Sequence, residues 1–177
     1  LDIGSSFSSL LRRLVQVEGT GPKGAPVEWR LRVSSIEATE VDEDMVSLMA
    51  ERPDRIAPHL HMPMQSGADP VLKAMNRWYT VAEYLEACHR IRASLDRPAF
   101  TADILVGFPG ETDEDFERTL ATAEEAGFTK VHVFPFSPRP GTPAAEMGSR
   151  VPPDVSRARR AALSEAAAAV SEAAAAV

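Results

Sequence analysis

The chain has 177 residues, 44% hydrophobic and 25% charged, with a net charge of −7 and one cysteine. That balance suits one globular domain with a sizeable core. The single thiol excludes an internal disulfide and any zinc or iron–sulfur site built from several thiolates of this chain, and the acidic balance disfavours a stand-alone nucleic-acid binder. If RNA is a partner, another domain supplies most of the grip. No apolar run reaches the roughly 18 residues that span a bilayer, and Leu1-Asp2-Ile3-Gly4 has neither the basic nor the apolar part of a secretory leader. A cytoplasmic protein with no membrane partner is therefore expected. The chain opens on Leu1 and not on Met, as an internal piece of a longer chain would.

In chain order, a short helix is expected around Phe7 to Val17, then a Gly/Pro loop from Thr20 to Pro26. Four short apolar runs read as buried strands: Trp29 to Ile36, Pro58 to Pro63, Phe100 to Gly107 and Lys130 to Ser137. Between them apolar residues recur at three and four, the helical period. Asp69-Pro70 starts one helix with a capping carboxylate and a proline at the first position. Thr80 and Glu83 form a capping box that opens a helix to Leu95, whose apolar stripe places Cys88 inside. A third helix runs from about Asp113 to Ala126 and ends at Gly127, where a left-handed cap is wanted. The tail repeats the heptad Ser164 to Val170 as Ser171 to Val177, so it reads as an alanine-rich helix with Leu163, Val170 and Val177 along one side. This alternation predicts an α/β fold with a parallel sheet, a core over residues 1–152 led by the helix and loop of 1–28, and a separate C-terminal helix over 153–177.

Chemistry concentrates where the strands end. Alternation puts His59 and His61 on one face, a spacing that metal sites use, but neither Cys88 nor His132 has an evident reason to join them, so a packing role is favoured and no metal site is assigned. Gln65-Ser66-Gly67 follows the second strand at the edge where parallel sheets bind ligands. Asp103 inside an apolar strand is costly unless it is hydrogen-bonded or functional. Gly107-Phe108-Pro109-Gly110 allows a tight turn with free amides and an aromatic face; a plain strand-to-helix turn capped by Thr112 weighs equally. Four prolines after Phe134 stiffen the loop that presents Arg139. Glu37 and Arg77 could form a structural ion pair, the favoured reading from spacing, or hold both charged ends of an amino-acid-like ligand.

Five stretches taken together resemble the radical S-adenosylmethionine methylthiotransferases: Arg32 to Glu37, His59 to Gly67, Val71 to Thr80, Asp103 to Thr112 and Val133 to Pro143. They fall in the family's order. The run Val133-Phe134-Pro135-Phe136-Ser137-Pro138-Arg139-Pro140-Gly141-Thr142 is most similar to the branch acting on threonylcarbamoyladenosine in tRNA, with the isopentenyladenosine branch close behind. Ala38 stands where the family often has proline, and Trp78 where a basic residue is usual.

The resemblance implies a partial TIM-like (βα) barrel, this chain supplying about four strands of a six-strand barrel. It also implies S-adenosylmethionine and 4Fe-4S clusters as cofactors, transfer of a methylthio group to C2 of a hypermodified adenosine, and tRNA bound through domains outside this chain. Glu37, Gln65, Ser66 and Arg77 would line the cofactor's ribose and methionine side. Gly107 to Gly110, with Phe108 among them, and Phe136 would border its adenine, and Asp103 is also counted among the cofactor-binding residues. The cluster cysteines are absent, so no catalytic or metal residue is assigned, and the chain as it stands is expected to be inert alone. Two alternatives remain: a non-catalytic module that keeps a cofactor-shaped groove, and a related radical enzyme acting on a small molecule.

Overall fold

The computed structural model describes residues 6–21 and 24–175, with side chains as far as 170. Four strands, β3 (Leu31–Val33), β4 (Ile56–His61), β5 (Ala99–Val106) and β6 (Lys130–Pro135), form one parallel sheet in the order β3-β4-β5-β6. Before it stand helix α1 (Phe7–Leu14) and a two-residue antiparallel ribbon, β1 (Gly19–Thr20) with β2 (Pro26–Val27). The segment read as a loop thus closes on itself as a small hairpin.

Helices α2 (Glu43–Glu51), α4 (Val81–Ser94) and α5 (Asp113–Ala126) cross from strand to strand, and α3 (Asp69–Ala74) is one short turn before α4. Local chemistry accounts for the starts of α2, α4 and α5; α3 begins at Asp69 itself, after Ala68 and without the expected side-chain cap, and the Asp69 carboxylate accepts from the Val81 amide instead. Thr80 accepts from the Glu83 amide while Glu83 accepts from the Thr80 amide, and Thr112 does the same with Asp115. Asp42 caps α2, and Gly127, at φ 60°, closes α5 in the left-handed conformation. After the short α6 (Pro143–Glu146), helix α7 (Pro153–Ala175) lies against β6 and α5. Its Leu163 is fully buried and Val170 half-buried; Val177 lies outside the described residues.

Burial alternates without a break along β5: Phe100, Ala102, Ile104 and Val106 face the helices, and Thr101, Asp103 and Leu105 face the other side. Register carries that second face across the sheet through His61, Thr101 and Lys130, and through Asp103 and His132. The helix-side core joins Met45, Leu60, Tyr84, Cys88, Ile91, Phe100 and Phe128. Burial of such side chains stabilises a fold by about 1.5–3 kcal/mol each before entropy is counted.

Strand ends depart from the sequence reading for physical reasons. The first strand is only Leu31–Val33, because Ser35 turns at φ 57° and breaks the extended run. Pro58 sits inside β4, a central strand, where it has no amide to give. The β3–β4 register shifts between its pairs Leu31–Ile56 and Val33–Leu60, so the missing donor falls at the irregularity. The fourth strand stops at Pro135 instead of Ser137. Among the described residues no helix is long and apolar enough to cross a membrane.

Candidate functional site

The carboxyl ends of β3, β4, β5 and β6 lie along one edge, and each sends a loop into the same region. Beyond β3, the turn at Ser35 delivers Glu37. Arg77, from the α3–α4 connection, donates from Nη1 to Glu37 Oε1 at 3.1 Å. The other carboxylate oxygen, Oε2, is buried without a partner. Burial pushes the Glu37 carboxyl above its usual range; Arg77 pulls it back in part, and nearby Glu40 adds to the rise. An orphaned oxygen beside a guanidinium is a place where a ligand's N–H or ammonium group would remove a desolvation cost.

The loop after β4 is braced by two tyrosines that sequence reasoning did not single out. Tyr84 donates to the Met62 carbonyl at 2.7 Å and Tyr79 to the Met64 carbonyl at 3.1 Å. Burial pushes the Tyr79 phenol up to about 12, so it stays a neutral donor. Tyr84 lies on the apolar stripe of α4, where a phenol needs a partner, a signal that could have marked it; Tyr79, between Trp78 and Thr80, has no such local signal. Gln65, at φ 65°, donates to the Asp103 carbonyl and accepts from the Leu105 amide, each at 2.9 Å, which stitches the loop to β5. Ser66 is turned inward and fully buried; its hydroxyl accepts from the Ala68 amide and lies 3.4 Å from Thr119 Oγ1. Gly67 donates to Thr119 and accepts from Thr122, and a Cβ there would stand 2.6 Å from the Thr119 Cα. Only glycine lets this loop lie so close to α5.

The turn after β5 has Gly107 at φ 76° and Gly110 at φ 87°. Glu111, buried beneath it, accepts from the Gly107 amide at 2.7 Å and from Arg159 Nη1 of α7, also at 2.7 Å. Arg159 also donates to the Glu111 carbonyl and to Asp113. This clamp spans 48 positions and was not foreseen. A buried arginine two residues before Ala161, with another arginine between, carries no local pattern that would mark it. Phe108 is buried, and its ring meets that of Phe136 edge to face at 5.3 Å.

A groove of about 390 Å³ opens where these loops meet, with Gln65, Arg77, Phe108 and Phe136 on its wall beside Asn76, Arg139 and Met147. Glu37 is tied to it through Arg77. Ser66, Asp103, Gly107 and Gly110 stand off the wall: Ser66 supports the loop, the glycines form the backing turn, and Asp103 lies on the sheet face below. There the Asp103 carboxylate is 3.5 Å from His61 Nε2, and His61 Nδ1 is 2.9 Å from Thr101 Oγ1. His132 does converge on His61, ring centroids 6.2 Å apart, because register places it beside Asp103. Burial, then the charges of Arg32 and His61, hold the His59 imidazole below its ordinary value. Among the described residues no group of three or more His, Cys, Asp or Glu side chains could hold a metal ion.

A parallel βα sheet with a polar-and-aromatic groove at its carboxyl edge defines an α/β protein of the partial-barrel type. The chain belongs to the radical SAM superfamily, whose model it matches over residues 5–123. It is 46% identical over 160 residues to a tRNA-2-methylthio-N(6)-dimethylallyladenosine synthase of Streptomyces avermitilis, covering 89% of this chain and 30% of that protein. It is 42% identical over 166 residues to a threonylcarbamoyladenosine tRNA methylthiotransferase of Thermotoga maritima, covering 94% and 36%. The chain thus spans about a third of the length of these curated relatives. In fold it is similar to coproporphyrinogen III oxidase of Escherichia coli, a radical SAM enzyme, with a TM-score of 0.61 at 19% identity over 77% of this chain and 32% of that one.

Membership implies S-adenosylmethionine and a 4Fe-4S cluster in general. The cluster does not fit the residues present. Cys88 is the one cysteine of the sequence; it is fully buried in the core, and burial pushes its thiol up to about 12. The groove, with the Arg77 guanidinium and an aromatic wall, and with the orphaned Glu37 oxygen on the far side of Arg77, has the polar and flat surfaces that the organic cofactor calls for.

Proposed function

We propose that this chain is the cofactor-binding part of a tRNA methylthiotransferase, which places a methylthio group on C2 of an adenosine already modified at N6. The observation that carries the reading is the half-buried, half-satisfied Glu37 paired to Arg77, which borders the groove walled by Phe108 and Phe136. S-adenosylmethionine has a zwitterionic amino-acid end and an aromatic end. Glu37 would hold its ammonium group, Arg77 would balance its carboxylate, Gln65 would fix its orientation, and the backbone turn at Gly107 to Gly110 would leave the aromatic wall clear for adenine. The cofactor, when bound and reduced by a cluster held outside this chain's residues, supplies the radical that activates an unreactive C–H bond. This chain's part is to bind, orient and exclude water.

Two N6 substituents are supported by different observations. Arg139 is exposed on the groove rim, and a guanidinium there suits the carboxylate of a threonylcarbamoyl group. Met75, Ala144 and Met147 make the neighbouring wall apolar, which suits a dimethylallyl group. The threonylcarbamoyl reading is retained first because it agrees with the resemblance of Val133 to Thr142. The test expresses the complete gene encoding this chain in a host deleted for its own methylthiotransferases and analyses digested tRNA by mass spectrometry. A methylthio derivative of threonylcarbamoyladenosine is expected; the dimethylallyl derivative instead would reassign the substrate. No sulfur-bearing adenosine at all would refute the activity.

A further inference from the structure

On the other side of Phe136 from the cofactor groove is a second cleft, about 370 Å³, where Arg150, Arg157, Arg160 and Ser156 face Phe136 and Pro138. Arg157 and Arg160 are three apart on α7 and share a face; Arg150 comes from the turn that precedes the helix. All three are exposed, and none forms an ion pair among the described residues. Arg150 Nη2 donates only to the Ala145 carbonyl. Arg159, on the opposite face, is spent on Glu111 and Asp113.

The surroundings make this concentration unusual. The chain carries −7 overall, yet residues 138–160 hold five arginines against two carboxylates, Glu146 and Asp154. The positive end of a 23-residue helix adds to the field. Three unpaired guanidiniums gathered in one cleft repel one another until an anion joins them, and arginine's planar fork matches phosphate oxygens. The cleft and the cofactor groove share Phe136 as a common wall.

We propose that Arg150, Arg157 and Arg160 form a phosphodiester-binding cleft that holds the RNA backbone beside the nucleotide whose base enters the groove. The proposal rests on the tRNA reading above and adds to it a contact made by this chain itself. Base identity is read elsewhere; the arginines set register and orientation, as backbone contacts do.

The test measures binding of a fluorescein-labelled tRNA anticodon stem-loop, as a function of salt, to the protein encoded by the complete gene that contains this chain. The R150Q/R157Q/R160Q variant is compared with R12Q/R13Q/R118Q, which removes equal charge elsewhere, and circular dichroism verifies that both are folded. Without the three guanidiniums that grip phosphate, the cleft variant binds about tenfold or more weakly at low salt, and its log–log salt slope is shallower by about two. The control variant binds as the parent does. Absence of binding by the parent, equal binding by the cleft variant, or an equal loss in the control would each overturn the cleft. Sodium phosphate should displace the RNA better than sodium chloride at matched ionic strength, because the free anion competes for the same guanidiniums; equal displacement would show that the arginines act only as diffuse charge and overturn the phosphodiester cleft. Intact, arginine-dependent RNA binding alongside a negative nucleoside assay would sink the methylthiotransferase reading and leave the cleft standing.

Discussion

Replacing Arg159 by Met tests whether the last helix holds the turn bordering the groove. In the parent, the Arg159 and Glu111 side chains are 7% and 1% exposed, with Nη1 to Oε2 at 2.7 Å. The second arm reaches Asp113, which is 93% exposed, so water screens that contact and it adds little. Met keeps much of the packing over Phe116. What remains is a buried carboxyl stripped of its cation, a loss of about 3–5 kcal/mol for such pairs. Glu111 can escape part of that by taking a proton. Its carboxyl already sits above the usual range, because burial outweighs the opposing pulls of the Gly107 amide and Arg159. Removing Arg159 raises it further. A carboxyl whose folded value exceeds its unfolded one contributes stability that is complete below the unfolded value and is lost as pH rises through the folded one. The variant's deficit is therefore largest in alkali, about 3 kcal/mol near pH 8, and shrinks towards about pH 5. Urea unfolding followed by circular dichroism at both pH values measures it. A second variant, E111Q/R159M, removes the charge and should recover most of the loss at the higher pH. A deficit under about 1 kcal/mol that is equal at both pH values would refute the buried-clamp reasoning.

Gly67→Ala places a Cβ against the Thr119 backbone, where no side-chain adjustment can relieve the clash; a loss of about 2–3 kcal/mol is expected from chemical denaturation, and a neutral effect would contradict the close approach. Thr80→Ala deletes half of the α4 capping box and should cost about 1 kcal/mol, read as a lower melting temperature, while Thr80→Ser should restore most of it. The Cys88 thiol, pushed up to about 12 by burial, should react with a disulfide reagent at neutral pH only as fast as the chain opens, so labelling should follow the unfolding curve; rapid labelling of the native protein would place Cys88 outside the core.

Much of the architecture was legible because it rests on interactions within four or five residues along the chain. The Thr80–Glu83 box, the Thr112 cap, the left-handed Gly127 and the strand expected over Phe100 to Gly107, found as Ala99–Val106, appear where periodicity and capping chemistry place them. The edge that gathers Gln65, Arg77, Phe108 and Phe136 was legible too, since a parallel sheet brings its carboxyl-end loops to one side. The rest depends on partners that the chain brings near only by folding. Ser66 sits in a polar stretch, yet its direction is set by Thr119, 53 positions away. His132 lies beside His61 because the register of two strands puts it there, and Pro58 is tolerated because the neighbouring register shifts around it. Arg159 reads as one of several tail arginines until α7 packs and turns it onto Glu111, while Arg157 and Arg160 on the opposite face are left to solvent. Helix phase relative to the sheet is a property of packed side-chain volumes, and no window of neighbouring residues contains it.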